Sequence, residues 1–324
     1  MMCKQAFRRA VSTAALLAGA LVVTACGGGQ SGTTNAADES AATRTVTDAA
    51  GRTVQVPATP KTVVALSEPT LDAALALGIQ PVGTTAGRGQ SGVSTYLAAK
   101  AGKAQIVATV AEPDLERLAT LRPDLILLDE TVGAKRMIDK LQAIAPAVLT
   151  AKLNEDWRKA FTVTADVLGK GPEAQKWLTD FDASVASVKT KLGKNAGATV
   201  SVIRWQNGAP SVVGKGVGHV GSTLSALGLG RPAGQQGESS GHSEPVSLEK
   251  LDTIDGDWMF LGALGDRTAG QQAYEEAAKV PNFTELGAEK SGHVVVVEGS
   301  AWNSAGGPLA AQTVLDDITR ALAG

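Results

Sequence analysis

The run Glu112-Pro-Asp-Leu-Glu-Arg-Leu-Ala-Thr-Leu-Arg-Pro-Asp-Leu-Ile-Leu-Leu128 is answered later in the chain by Glu244-Pro-Val-Ser-Leu-Glu-Lys-Leu-Asp-Thr-Ile-Asp-Gly-Asp-Trp-Met-Phe-Leu261. From Leu115 against Leu248 onward the two align without a gap. Each copy reads as a short helix carrying an acidic residue, Glu116 or Glu249, followed by an Asp-led strand of buried type. A chain that repeats a helix and strand in its two halves builds pseudo-symmetric lobes, and the cleft between such lobes is the natural ligand site.

The flanking sequence supplies the remaining elements. Residues 45–48 and 52–56 alternate around Ala49-Ala-Gly51, which predicts a β-hairpin. Strands are expected at 62–66, 79–83, 124–129 and just before Thr150, with Ser67 capping a helix that bears Leu71, Leu75 and Leu77 and ends at Gly78. A second helix bears Met137, Ile138, Leu141 and Ile144. From Pro172 to Gly193, Trp177, Phe181, Val185, Val188 and Leu192 recur at helical spacing. A helix of that length spans roughly 33 Å, enough to bridge two lobes. Strands follow at 200–205, 211–214, 257–261 and 293–298, and a last helix runs from about Pro308 to Ala323. The expected fold is α/β: two pseudo-symmetric lobes with mostly parallel sheets flanked by helices, joined by one long interlobe helix. The boundaries read as an N-terminal lobe over 44–165, an interlobe helix over 166–193 and a C-terminal lobe over 194–324.

The first 25 residues read as an export signal: a basic head (Lys4, Arg8, Arg9), an uncharged stretch over 10–23, and small residues at a cleavage point. The apolar run is too short and Ala-rich for a span of roughly 20 strongly apolar residues. Val23-Thr-Ala-Cys26 resembles the lipobox of bacterial lipoproteins. That resemblance implies a diacylglycerol on the Cys26 sulfur and a new N-terminus there. The only other cysteine, Cys3, lies in the signal, so no thiol remains for disulfide, nucleophilic or metal chemistry. Loss of three cations with the signal takes the formal charge from −2 to −5, which argues against a nucleic-acid partner. Residues 26–43 have the composition of a flexible tether.

Three passages carry a wider resemblance: Thr47-Asp-Ala-Ala-Gly-Arg-Thr-Val-Gln-Val-Pro57, Leu115-Glu-Arg-Leu118 with Arg122-Pro-Asp-Leu-Ile126, and Val246-Ser-Leu-Glu-Lys-Leu251. Over nearly all of 46–322 the chain resembles the substrate-binding lipoproteins of ABC importers for iron-siderophores, class III periplasmic binding proteins related to those for haem and cobalamin. The resemblance implies a non-enzymatic receptor without resident cofactor or metal. It would be anchored to the outer face of the bacterial cytoplasmic membrane, bind a ferric siderophore, close only modestly, and deliver its cargo to a permease dimer. Glu116 and Glu249 match the acidic pair that meets basic permease residues. The repeat agrees, since it presents like charges to two equivalent partners, and rim charges of this kind set orientation and encounter rate.

His219, His242 and His293 show no metal-ligand spacing. A siderophore saturates its own iron, so its receptor must offer arginine forks and aromatic walls to the outside of the complex. Residues near expected strand exits are the candidates: Arg88, Tyr96, Arg204, Trp205 and Trp302. Of the other tryptophans, Trp177 is assigned to helix packing and Trp258 to the core, with Trp157 left open. Two motifs point elsewhere. Gly216-x-Gly218-x-x-Gly221 has the form of a dinucleotide fingerprint but no well-placed ribose-binding acid follows, so it is read as a tight turn. Gly237-x-Ser239-x-Gly241 imitates a hydrolase elbow but lies in a polar loop. The alternatives are thus a haem or cobalamin receptor, in which Tyr96, Tyr274 or a histidine would serve as axial ligand for haem, and an exported serine hydrolase acting through Ser239 and His242.

Overall fold

The computed structural model describes residues 42–130, 133–238 and 241–324. The export signal, Cys26, nearly all of the tether and Ser239 lie outside them. The hairpin forms as expected, with β1 (Thr43–Thr47) antiparallel to β2 (Thr53–Pro57). Asp48 closes it by accepting from the Arg52 backbone and guanidinium.

The first lobe holds a parallel five-stranded sheet of β3 (Val63–Ala65), β4 (Gly83–Thr85), β5 (Gln105–Ala108), β6 (Leu125–Leu128) and β7 (Ala147–Leu149). Its order is β5-β4-β3-β6-β7. The order reverses direction at β3, and ligands of such sheets bind beyond the carboxyl ends of the strands at that point. Four helices interleave with the strands: α1 (Glu68–Ala76), α2 (Thr95–Ala101), α3 (Leu115–Thr120) and α4 (Ile138–Gln142). Ser67 caps α1 in a reciprocal capping box with Thr70. The strand expected at 79–83 begins only at Gly83, because Pro81 has no N–H to give the ladder.

The second lobe contains β8 (Val200–Gln206), β9 (Ala209–Val212), β10 (Trp258–Gly262) and β11 (Val294–Val296), in the order β11-β10-β8-β9. Its three principal strands are parallel, whereas β9 returns antiparallel to β8. That return is a two-residue turn at Asn207 and Gly208, both with positive φ (54° and 76°), the conformation an Asn-Gly hairpin favours.

The repeat is visible in hydrogen bonding. Asp124, at the head of β6, accepts from the N–H groups of Lys61 and Thr62 just before β3. Asp257, at the head of β10, accepts from Thr199 N–H just before β8. The same carboxylate therefore sets the start of the same neighbouring strand in both lobes.

Two helices join the lobes: α5 (Trp157–Leu168) and, after Gly169, α6 (Gly171–Lys191). Residues 166–193 thus contain the end of α5 as well as the long helix. Ala174 near the start of α6 lies in the first lobe's core with Val63 and Leu125. Phe181, Val185 and Val188 lie in the second lobe's core with Val200 and Val202. Trp177 stacks on Phe181 at 5.3 Å and meets both Trp157 and Phe161 edge-on, as its assignment to helix packing predicts. α6 also packs against α7 (His219–Leu227), and the C-terminal helix Pro308–Leu322 packs against both α7 and α1.

Candidate functional site

A cleft of about 400 Å³ lies where the carboxyl ends of the two sheets face each other. The first lobe contributes Arg88 and the loops after β6 and β7; the second contributes Arg204, the loop from β9 into α7, and residues 302–306. Arg88 follows β4 on a short loop closed by Gly87 N–H to Gly92 C=O (2.8 Å) and Gln90 N–H to Gly87 C=O (2.9 Å). At Gly89, whose φ is +74°, an added Cβ would stand 3.0 Å from Leu264 of the other lobe. Glycine lets the loop approach that closely.

Beneath this loop Glu68 accepts from the Ser94 hydroxyl and the Arg88 backbone N–H. Burial pushes its carboxyl up to about 7 despite those bonds and the Arg88 charge. A raised carboxyl keeps its proton in the folded state after the unfolded chain has lost it, so Glu68 lowers stability as pH rises from near 4.5 through about 7. Over that interval the loss is roughly 3 kcal/mol. In Glu68→Gln the difference in unfolding free energy between pH 5 and pH 8 should narrow measurably by urea titration, although Asp72 contributes with the same sign. An unchanged difference contradicts this role.

Arg204 sits on β8 and is 5% exposed. Its guanidinium is held below its ordinary value by burial first and then by the Arg88 charge. The Nε atoms of both arginines are buried without a hydrogen-bond partner. The chain therefore carries two neighbouring guanidinium groups, one from each lobe, with donors unspent at the cleft. Buried donors of this kind are costly unless something accepts from them.

The other expected ligand residues divide. Trp302 borders the cleft but is 1% exposed: its ring stacks on Phe260 at 4.6 Å and its indole N–H donates to Asp317 (2.8 Å). It presents an edge and no open face. Trp205 is not in the cleft. Neighbours on a strand point to opposite faces, so with Arg204 turned to the cleft, Trp205 enters the core behind β8 and meets Phe283 edge-on at 5.8 Å. Tyr96 is not in the cleft either, since α2 carries its hydroxyl to Asp72, to which it donates at 3.0 Å. Trp258 is half-buried against His293, the rings stacked at 4.0 Å.

Several lining residues escaped the sequence reading. Lys152 and Lys215 add positive charge, and Trp157 lines the wall with its N–H donated to Ser222 (2.9 Å). His219 also lines the cleft; its Nε2 donates to Ala301 C=O (2.6 Å) and burial depresses it to about 4, so it is neutral. Arg231 stands behind the wall and fastens the loop after β9 by donating to Val213 and Gly214 C=O.

Of the axial ligands considered for haem, Tyr96 is engaged by Asp72, Tyr274 by Glu289 (2.9 Å) and His219 by Ala301, while His242 and His293 each bond through Nδ1 to a backbone carbonyl, of Ser243 and Asp257. Among the described residues no three His, Cys, Asp or Glu side chains are grouped to hold a metal ion. His242 donates through Nδ1 to the Ser243 carbonyl, and neither a strand before nor an α-helix after marks a nucleophile elbow. Gly216 and Gly218 form the turn from β9 into α7, as the sequence suggests.

Glu116 on α3 and Glu249 on the 3₁₀ helix Leu248–Ile254 are exposed and line no part of the cleft. Both helices begin at the cleft-side ends of the sheets. Asp114 N–H bonds to Val107 C=O near the end of β5, and Val246 N–H bonds to Pro210 C=O, opposite Trp205 near the end of β8.

Two α/β lobes joined by two helices, each contributing an arginine with an unpartnered Nε to the cleft between them, define a two-lobed ligand receptor. The family model described as periplasmic binding protein matches residues 63–301, and the chain belongs to that family. The probable siderophore-binding lipoprotein YfiY of Bacillus subtilis (strain 168) is 32% identical over 305 residues, covering 92% of this chain and 93% of that protein. The Fe(3+)-citrate-binding protein YfmC of the same strain is 27% identical, covering 94% of each. Staphylococcus aureus SirA, solved with staphyloferrin B, shares the fold at a TM-score of 0.72 and 24% identity, over 86% of this chain and 98% of SirA.

Proposed function

We propose that this protein is the extracytoplasmic receptor of an ABC importer, capturing a ferric siderophore between its lobes and handing it to a membrane permease. The observation that carries the reading is the pair Arg88 and Arg204: two guanidinium groups from opposite lobes, each with a buried donor that the protein leaves unused. Oxygens on the outside of an iron complex would accept from both and draw the lobes together. The two curated relatives, named for binding a siderophore and ferric citrate, support the same reading. Trp157 and Trp302 border the cleft, so bound iron should quench tryptophan emission saturably. A protein that binds no ferric siderophore in such a titration is not this receptor.

Anchoring is assigned to Cys26, and no helix among the described residues is long and apolar enough to cross a membrane. Cys26→Ala should abolish incorporation of labelled fatty acid; label retained on the variant contradicts the assignment.

Permease docking is assigned to Glu116 and Glu249, whose carboxylates form no ion pair within the chain among the described residues. Reversing either to Arg should slow uptake of the ferric complex by cells, and the double variant should slow it further, with ligand affinity of the purified protein unchanged. Normal uptake in the double variant would remove the docking role.

A further inference from the structure

We infer that the cleft selects ferric complexes of polycarboxylate chelators, anionic and with carboxylate oxygens on their outer surface, over uncharged ferric trihydroxamates. This rests on the receptor reading and narrows it to one ligand chemistry. The first support is the charge lining the cleft. Arg88, Arg204, Lys152 and Lys215 supply cations; Asp129, Glu130, Glu155 and Glu238 supply acids. Glu130 is already paired with Lys135 at 2.6 Å and Glu155 with Lys159 at 2.8 Å. His219 is neutral, and His242 is exposed at the rim. The remaining balance is positive and centred on two arginines from different lobes.

The second support is the wall. Trp157 and Trp302 are its aromatic residues among those described, and they are 4% and 1% exposed. Neither offers an open ring face on which a catechol could stack, so the wall holds a ligand through charge. An uncharged trihydroxamate would cover both guanidinium groups and give them only neutral acceptors, leaving the Arg204 charge unanswered and that of Arg88 answered only by Glu68. A carboxylate answers a guanidinium with two parallel charge-assisted bonds, which strengthen as the cleft excludes water.

The test is a titration of the full folded chain, under identical low-salt conditions, with ferric citrate, ferrichrome as an uncharged ferric trihydroxamate, and ferric enterobactin as an anionic tris-catecholate. Ferric citrate should bind about tenfold or more tighter than ferrichrome, a preference that narrows as sodium chloride is raised. It should also bind more tightly than ferric enterobactin. Equal or tighter binding of ferrichrome, or preference for the catecholate, overturns the selectivity and leaves the receptor reading standing. Failure of all three to bind overturns both.

Discussion

Replacing Arg204 by methionine is expected to raise the stability of the unliganded protein while weakening its hold on a ferric siderophore by tenfold or more. Arg204 is a strand residue, 5% exposed, with an Nε lacking any acceptor and a second guanidinium nearby. Without ligand its buried Nε is a donor for which the chain supplies no acceptor. Apolar side chains of similar volume often improve stability at such positions, here by roughly 1 kcal/mol or more. Binding moves the other way, because the loss of a charged hydrogen-bonding partner costs about 1.5 to 3 kcal/mol. Arg88→Met should lose comparable affinity but gain less stability, since the Glu68 carboxylate lies beside Arg88 and part of its charge is already balanced. Calorimetry and fluorescence titration on the two variants check both halves. Unchanged affinity in both would show that the cleft is misplaced, and a lower melting temperature for Arg204→Met would show that this guanidinium is structural.

Asp72→Ala should be strongly destabilising, because this side chain fastens the lobes together from within. Asp72 lies on α1 of the first lobe and is fully buried. It accepts from the N–H groups of Gly307 (3.1 Å), Leu309 (2.7 Å) and Ala310 (2.9 Å) at the start of the C-terminal helix, and from the Tyr96 hydroxyl. Pro308 has no N–H, so one carboxylate takes every backbone donor in residues 307–310 and faces the positive end of the helix dipole. Its removal leaves three N–H groups and a phenol unpaired in the interior, a loss of about 3 kcal/mol or more. For a fold of about 280 residues that is a fall of roughly 5 °C or more in melting temperature. Asp72→Asn keeps an acceptor and should fall between. The pH dependence adds a check. Burial outweighs the four bonds and pushes the Asp72 carboxyl up to about 6 from 3.8. Its contribution is therefore full below pH 3.8 and is lost as pH rises through 6. A melting temperature for Asp72→Ala within a degree or two of wild type would show that α6 and apolar contact hold the lobes without this tie.

These residues also show where sequence was legible. The repeat was readable because Asp124 and Asp257 do the same local work, each bonding backbone a few residues ahead of a neighbouring strand. The long helix was readable because its apolar positions serve two cores at helical spacing. Arg88 and Arg204 reach the cleft from the carboxyl ends of β4 and β8, where ligands of such sheets bind. Strand parity decides Trp205 against the cleft in favour of the core, and it could not be assigned until the faces of β8 were known. Tyr96 and Asp72 were illegible for another reason: the backbone partners of Asp72 lie more than 230 residues away, and no local pattern announces them. Lys152 and Lys215 look like ordinary surface lysines until two loops from different lobes are set opposite one another. The antiparallel return of β9 is signalled in the sequence by Asn207-Gly208, a hairpin pair that an alternation of strands and helices does not call for.

Anomalous diffraction at the iron edge, from crystals grown with a ferric siderophore that binds in titration, tests the central claim most directly. The account predicts one iron peak within the cleft, with ligand oxygens in hydrogen-bond reach of both the Arg88 and Arg204 guanidinium groups. Iron bound elsewhere, or held in the cleft with neither arginine touching the complex, would contradict it.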